Sequence, residues 1–325
     1  MDLDQRALAR IRLGINEAVS HWIYDPNVSF IDFGWRETGG KLFPDEPAIR
    51  VHVKEKYVSQ PALEAAVERG RTSGPIPDQI AGFPVDRPIG NFRVRQYPFG
   101  RWGQANQRAR RSDPIQGGIS ISDRYRNIYA TLGGFVKDRD TGKKMILSNW
   151  HVLAGGWYSP PGGLILQPGR GDGGSDVDSV ATFSRHAMSS GIDAAVAELT
   201  GSRQLINKQY DLGPLKGVSK AEANMQVVKS GRRTEITRGL ITTVVGGAFK
   251  MNYSGVDRLI YHVIKIEPRF PGGEVSAGGD SGSIWCEEST MHAVGLHFAG
   301  MDAPEQALAI DMQPVLDALN VDLVF

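Results

Sequence analysis

Three short segments carry residues whose types could perform acyl-transfer chemistry. The first is Gly278-Gly279-Asp280-Ser281-Gly282-Ser283, a hydroxyl held inside a run of glycines. Glycine leaves room for a tight turn because it has no Cβ. The backbone N–H groups of Gly279 and Ser281 can then converge on one point and hold a developing oxyanion, a donor of that kind being worth about 3–4 kcal/mol. The second segment, Leu147-Ser148-Asn149-Trp150-His151-Val152-Leu153-Ala154, offers an imidazole. The third, Gly191-Ile192-Asp193-Ala194-Ala195-Val196-Ala197, offers a carboxylate. A serine hydroxyl is too weak an acid to attack a carbonyl unaided at neutral pH, so a base and a group that orients the base are both needed.

Each segment alone has an ordinary reading. A Gly-Asp-Ser-Gly run is commonly only a turn, a histidine after an apolar run is commonly a core residue, and Asp193 could simply cap a strand. Together they read as His151, Asp193 and Ser281, separated by 42 and then 88 residues. That spacing suits two small barrels, with the imidazole and carboxylate on the first and the hydroxyl on the second. Asp172, Asp176 and Asp178 compete for the orienting role. Their stretch, Gly171–Asp178, reads as a surface loop. Its even spacing also resembles an oxygen-ligand calcium loop, but the distal glutamate is absent, so no metal site is expected.

Chemistry of this kind needs elements that hold distant residues rigidly. From Pro114 onward the chain reads as short strands and turns. Gly117–Ser122, Ile128–Val136, Met145–Ser148, Gly163–Leu166, Val180–Phe183 and Ile192–Leu199 are enough for one closed barrel. Met225–Lys229, Leu240–Val245, Leu259–Ile266, Ser283–Trp285, Ala293–Phe298 and Ala307–Ile310 form a second series, and residues 312–319 read as a closing helix. Residues 4–20 carry a helical apolar face and 61–68 a second helix with proline near its start. Val28–Trp35 reads as a strand, and Ala48–Lys54 alternates like a half-exposed one. The expected division is a small N-terminal α/β domain with an Arg-rich linker over 1–112, then a β domain over 113–325, its barrels at about 113–205 and 206–325. The linker, with Arg93, Arg95, Arg101, Arg108, Arg110 and Arg111, reads as a solvated segment. A basic docking site for an acidic partner or nucleic acid is the sharper alternative.

Composition narrows the class. The chain has 325 residues, 39 of them glycine, and a formal net charge of +1, which gives no overall pull toward nucleic acid or an anionic membrane. One cysteine, Cys286, excludes an intrachain disulfide and reads as a buried thiol. Charges interrupt every apolar run of the N-terminal segment, and no stretch reaches the length of a membrane-spanning helix. A cytoplasmic protein without cofactor is the expectation.

The three segments resemble those of the chymotrypsin-like serine endopeptidases, in particular bacterial members without disulfides, over about residues 114–325. Leu164–Gly169 and Lys229–Thr234 also look like this group. Ser148-Asn149-Trp150 stands where the family commonly has two alanines before the histidine. The resemblance implies a mainly β, double-barrel fold with the active site in the cleft. It implies Ser281 as nucleophile, His151 as general base and acid, Asp193 as its orienter, and a protein or peptide substrate. It also implies that Gly295–Gly300 lines the primary pocket, which brings in His297, Phe298 and Gly300. A histidine there, with a hydroxyl five residues before the nucleophile (Ser276), looks like endopeptidases that read Glu or Gln. A small apolar pocket shaped by Val275 and Gly300 is the alternative. A catalytically silent binding module and an esterase remain open, as does a regulatory partner at the N-terminal domain.

Overall fold

The computed structural model describes residues 4–38, 41–94, 106–155, 159–253 and 255–325. The protein is mainly β and divides into two compact units. One comprises residues 1–93 and 242–265, the other 94–241 and 266–325.

In the first unit the helix Gln5–Trp22 starts where the Asp4 carboxylate accepts the Ala7 N–H at 2.7 Å, so one otherwise orphaned donor is satisfied. Its apolar face, with Ile11, Ile15 and Ala18, packs against Val28, Ile31, Phe33, Ile49, Val51 and Val53. These strand residues belong to the antiparallel pair Val28–Thr38 and Lys41–Val53. The second helix, Gln60–Glu68, is capped by Ser59. Among the described residues of this unit, Val28–Thr38 also pairs with Thr243–Tyr253, with Phe30 opposite Phe249. The strand Val256–Pro268, as far as Lys265, completes that hairpin.

Two sequence expectations differ here. Leu240–Val245 was expected as one strand of the second barrel; the chain instead breaks at Thr242 between Glu235–Ile241 and Thr243–Tyr253, and residues 242–265 group with the N-terminal residues. Apolar alternation shows that a strand exists but not which sheet receives it. Ala48–Lys54 was expected to be half exposed, yet Arg50 and His52 are fully buried. The cause is Asp32, which binds the Arg50 guanidinium through both oxygens, accepts from Thr243 Oγ1 at 2.6 Å and lies 3.3 Å from His52 Nε2. Burial pushes the Asp32 carboxyl up, but Arg50 and His52 outweigh it and hold it below its ordinary value. Burial also lowers His52 to about 4, so its imidazole is neutral at pH 7.

The second unit contains two closed rings of strands. In the first, Ser120–Asp123 pairs with Ala130–Thr131, and the chain bends at Leu132-Gly133 into Gly134–Asp138. Pairing then runs through Lys144–Ser148, Ala195–Leu199, Ser179–His186 and Leu164–Leu166 back to Ser120–Asp123. In the second, Gln226–Gly231 pairs with Glu235–Ile241, which pairs with the end of Val256–Pro268. That strand pairs with Glu305–Asp311, and His292–Asp302 and Ile284–Glu287 close the ring onto Gln226–Gly231. Closure by pairing leaves the second ring without an open edge along these strands, while the first is closed through the bend at Leu132-Gly133. This is the double-barrel arrangement expected of a chymotrypsin-like fold, carried with a small N-terminal α/β unit.

The Arg-rich segment is not uniformly solvated. Arg108 is 2 % exposed, donates to Tyr210 O and Asp211, hydrogen-bonds Ser230 Oγ and stacks on the Tyr210 ring. Arg93, Arg110 and Arg111 are exposed, while Arg95 and Arg101 lie outside the described residues. Cys286 is buried, and burial pushes its thiol up to about 12. No helix among the described residues is long and apolar enough to cross a membrane.

Asp311 precedes the closing helix Met312–Leu319, and burial raises its carboxyl to about 6, partly offset by the N–H groups of Gln313 and Met312. The folded state therefore holds a proton that the unfolded chain releases from its ordinary value of 3.8 upward. Stability from this group is complete below that value and is lost as pH rises through about 6. Asp311→Asn removes the titration. The Tm of that variant should match wild type near pH 4 and exceed it by about 5 °C at pH 7. A constant difference across this range in thermal scans would refute the assignment.

Candidate active site

His151 sits on the single-turn helix Trp150–Leu153, which follows the strand Lys144–Ser148. Asp193 lies just before the neighbouring strand Ala195–Leu199, and the pairing of Ser148 with Ala195 sets the two side by side. Asp193 Oδ1 accepts the His151 backbone N–H at 3.0 Å, and Oδ2 lies 2.5 Å from His151 Nδ1. Asn149 Nδ2 donates to the Asp193 carbonyl at 2.8 Å. His151 is 2 % exposed and Asp193 fully buried. A carboxylate on Nδ1 selects the tautomer that carries its proton there, which leaves Nε2 as a lone-pair base. Nε2 has no hydrogen-bond partner among the described residues.

Ser281 is 2 % exposed. Its Oγ lies 3.5 Å from the Phe298 carbonyl, and no hydrogen bond joins it to His151 Nε2. The structure therefore joins two of the three expected residues directly. The third is tied to the same barrel through its backbone: Thr131 N–H donates to the Ser281 carbonyl at 2.9 Å. Gly282, at φ +94°, packs so tightly that a Cβ would fall 2.1 Å from Ser148 Oγ, three residues before His151. Only glycine fits that approach.

The turn itself is set by Asp280, which is fully buried. Its carboxylate accepts from Lys229 Nζ at 3.0 Å, Thr234 Oγ1 at 2.6 Å, and the N–H groups of Ala277, Arg233 and Thr234 at 3.0, 2.8 and 3.1 Å. Burial raises this carboxyl, but Lys229 and Thr234 outweigh it, so it stays ionised. Burial likewise lowers Lys229, with Asp280 acting against it. Gly279 adopts φ +108°, and neither its N–H nor that of Ser281 donates to an acceptor among the described residues. Two unengaged N–H groups on one rigid turn suit an oxyanion.

The expected pocket residues Ser276, His297, Phe298 and Gly300 are all buried. His297 lies on the strand His292–Asp302 with its ring edge-on to Trp285 at 6.3 Å. Glu305 Oε1 accepts the Val275 and Ser276 N–H groups at 3.1 Å each. Glu305 was not foreseen; it is distant in sequence and has no motif.

The Gly171–Asp178 stretch lies at the surface as expected, with Gly171, Gly173, Ser175, Asp176 and Val177 exposed, but its carboxylates are engaged. Asp172 is not a free surface carboxylate: it binds Arg232 through both oxygens and accepts from Ser120 Oγ at 2.6 Å. Asp178 bonds Ser175 and Arg203, and Asp176 pairs with Arg124. These carboxylates are committed to cations on other segments, and no cluster able to hold a metal occurs among the described residues.

No family model matches the chain, and no curated protein matches it. Solved structures do. A Nocardiopsis protease is 18% identical at a TM-score of 0.48, covering 65% of this chain and 99% of its own. Thermobifida fusca protease A is 16% identical at 0.48, covering 65% and 98%. A glutamic-acid-specific serine protease is 18% identical at 0.48, covering 65% and 100%. At that identity and score the likeness assigns no residue and no activity to this chain.

Removing Lys229 should leave the Asp280 charge buried and uncompensated. Lys229→Met is expected to cost about 3–5 kcal/mol in urea unfolding, and adding Asp280→Asn should recover part of that loss. If Lys229→Met alone leaves the midpoint unchanged, Asp280 is held by its other donors.

Proposed function

We propose that the second unit, residues 94–241 and 266–325, forms a serine endopeptidase. The observation that carries the reading is the buried His151–Asp193 pair, with Nδ1 engaged at 2.5 Å and Nε2 left as a base. Ser281 Oγ attacks the peptide carbonyl while His151 Nε2 takes its proton. The oxyanion forms against the Gly279 and Ser281 N–H groups. His151 then protonates the leaving amine, and water releases the acyl group by the same route in reverse. Asp193 keeps the imidazole in the working tautomer and stabilises its cation. Hydroxyl–imidazole contacts in resting sites are often long and tighten with substrate bound, in keeping with the missing Ser281–His151 bond.

For the primary pocket we propose a side chain ending in a carboxylate or amide, read by His297 and Ser276. An imidazole and a hydroxyl can each hydrogen-bond a carboxylate or amide, which an apolar side chain cannot do in return. A silent binding module on the same fold is the second reading, favoured by the one observation that Ser281 and His151 are not hydrogen-bonded.

Labelling decides between them. The wild-type chain should take up one equivalent of a fluorophosphonate and cleave peptides, and Ser281→Ala should do neither. A chain that never labels is the silent module. Asp193→Asn should lower kcat by about 10⁴ with little change in KM. Cleavage of a peptide library should enrich Gln or Glu before the scissile bond; a random or small-apolar profile removes the pocket assignment.

A further inference from the structure

Thr131 sits at a junction that the triad chemistry does not use. It lies on the two-residue strand Ala130–Thr131 of the first barrel and is fully buried. All its polar atoms are engaged. Its N–H donates to the Ser281 carbonyl at 2.9 Å. Its Oγ1 donates to the Gly279 carbonyl at 2.9 Å and accepts the Arg232 N–H at 2.9 Å. Its carbonyl accepts from Ser148 Oγ at 2.9 Å. One residue thus holds the carbonyls on both sides of Asp280.

The Gly279 peptide needs such a hold. Glycine at φ +108° has no Cβ to limit rotation of its neighbouring peptide planes. The donors proposed for the oxyanion lie on that backbone, and a donor contributes only if it is fixed before charge develops. A second contact braces the same residue. Tyr129 lies so close to Gly279 that a Cβ there would come within 2.5 Å of the ring. The Arg232 guanidinium covers that ring 4.0 Å from its centroid and is itself held by Asp172.

We infer that Thr131 is a positioning residue for the oxyanion site, its hydroxyl locking the Gly279 carbonyl so that the Gly279 and Ser281 N–H groups stay aimed at the reacting carbonyl. This rests on the endopeptidase reading above. The lock acts on the transition state and not on substrate affinity, because the charge it serves exists only after attack.

The test compares Thr131→Ser with Thr131→Ala, which both lose the methyl group and differ only in the hydroxyl. Wild type is first labelled with a fluorophosphonate. Failure to label at Ser281 removes the endopeptidase reading and the lock with it. Given labelling, Thr131→Ala should lose about tenfold in kcat and the same factor in affinity for a peptide aldehyde, whose adduct carries the oxyanion. Its KM and its affinity for the product peptide should not change. Thr131→Ser should stay within about twofold of wild type on every measure. Thr131→Val, which keeps the volume, replaces the alanine variant if that one does not fold. Wild-type kcat in the alanine or valine variant overturns the lock while leaving the endopeptidase intact. So does an equal loss in the serine variant, or a parallel loss of product affinity.

Discussion

A carboxylate sealed in the second barrel sets the geometry of the candidate site. Asp280 is taken out of water and must be answered by donors, since an uncompensated buried charge is far costlier than any single hydrogen bond gained. Five donors answer it: the Lys229 ammonium, the Thr234 hydroxyl and three backbone N–H groups. Because Asp280 is flanked by Gly279 and Ser281, satisfying its charge also dictates the path of the turn that carries the hydroxyl. The lysine comes from the same unit of the chain, so the ion pair is an internal property of that unit.

The other half of the site obeys a different constraint. His151 and Asp193 are brought together by strand pairing, Ser148 opposite Ala195, and their side chains meet because each sits just beyond the end of its strand. Thr131 then connects the halves. It is a first-barrel residue that bonds the Ser281 and Gly279 carbonyls of the turn and, through Ser148, the segment leading to His151. Register in one barrel and charge compensation in the other are thereby read out at a single place.

The polar residues of the N-terminal unit follow the same rule of buried charge. Asp32, Arg50, His52, Thr243, Glu37 and Lys265 build a buried polar network on the strands of this unit, with Lys265 Nζ 3.0 Å from Glu37 and only His52 Nδ1 of the imidazole left without a hydrogen-bond partner among the described residues. It is a structural core in polar form, and it explains why a hairpin from late in the sequence belongs to the first unit. Thr243 and Lys265 supply partners that Asp32 and Glu37 would otherwise lack.

The sequence alone determined the local features. Glycines flanking Ser281, the short strands of the β domain, the opening helix, and His151 and Asp193 as candidate residues were all legible, because periodicity and turn chemistry act over a few residues. Tertiary structure decided which distant group answers each buried charge. Lys229 for Asp280, Arg232 for Asp172, Ser230 and Asp211 for Arg108, and Glu305 for the Ser276 N–H leave no trace in spacing, since any basic or acidic residue of suitable reach looks the same along the chain. Tertiary structure also sent residues 242–265 to the N-terminal unit, for a strand's alternation records which face is buried and not which sheet buries it.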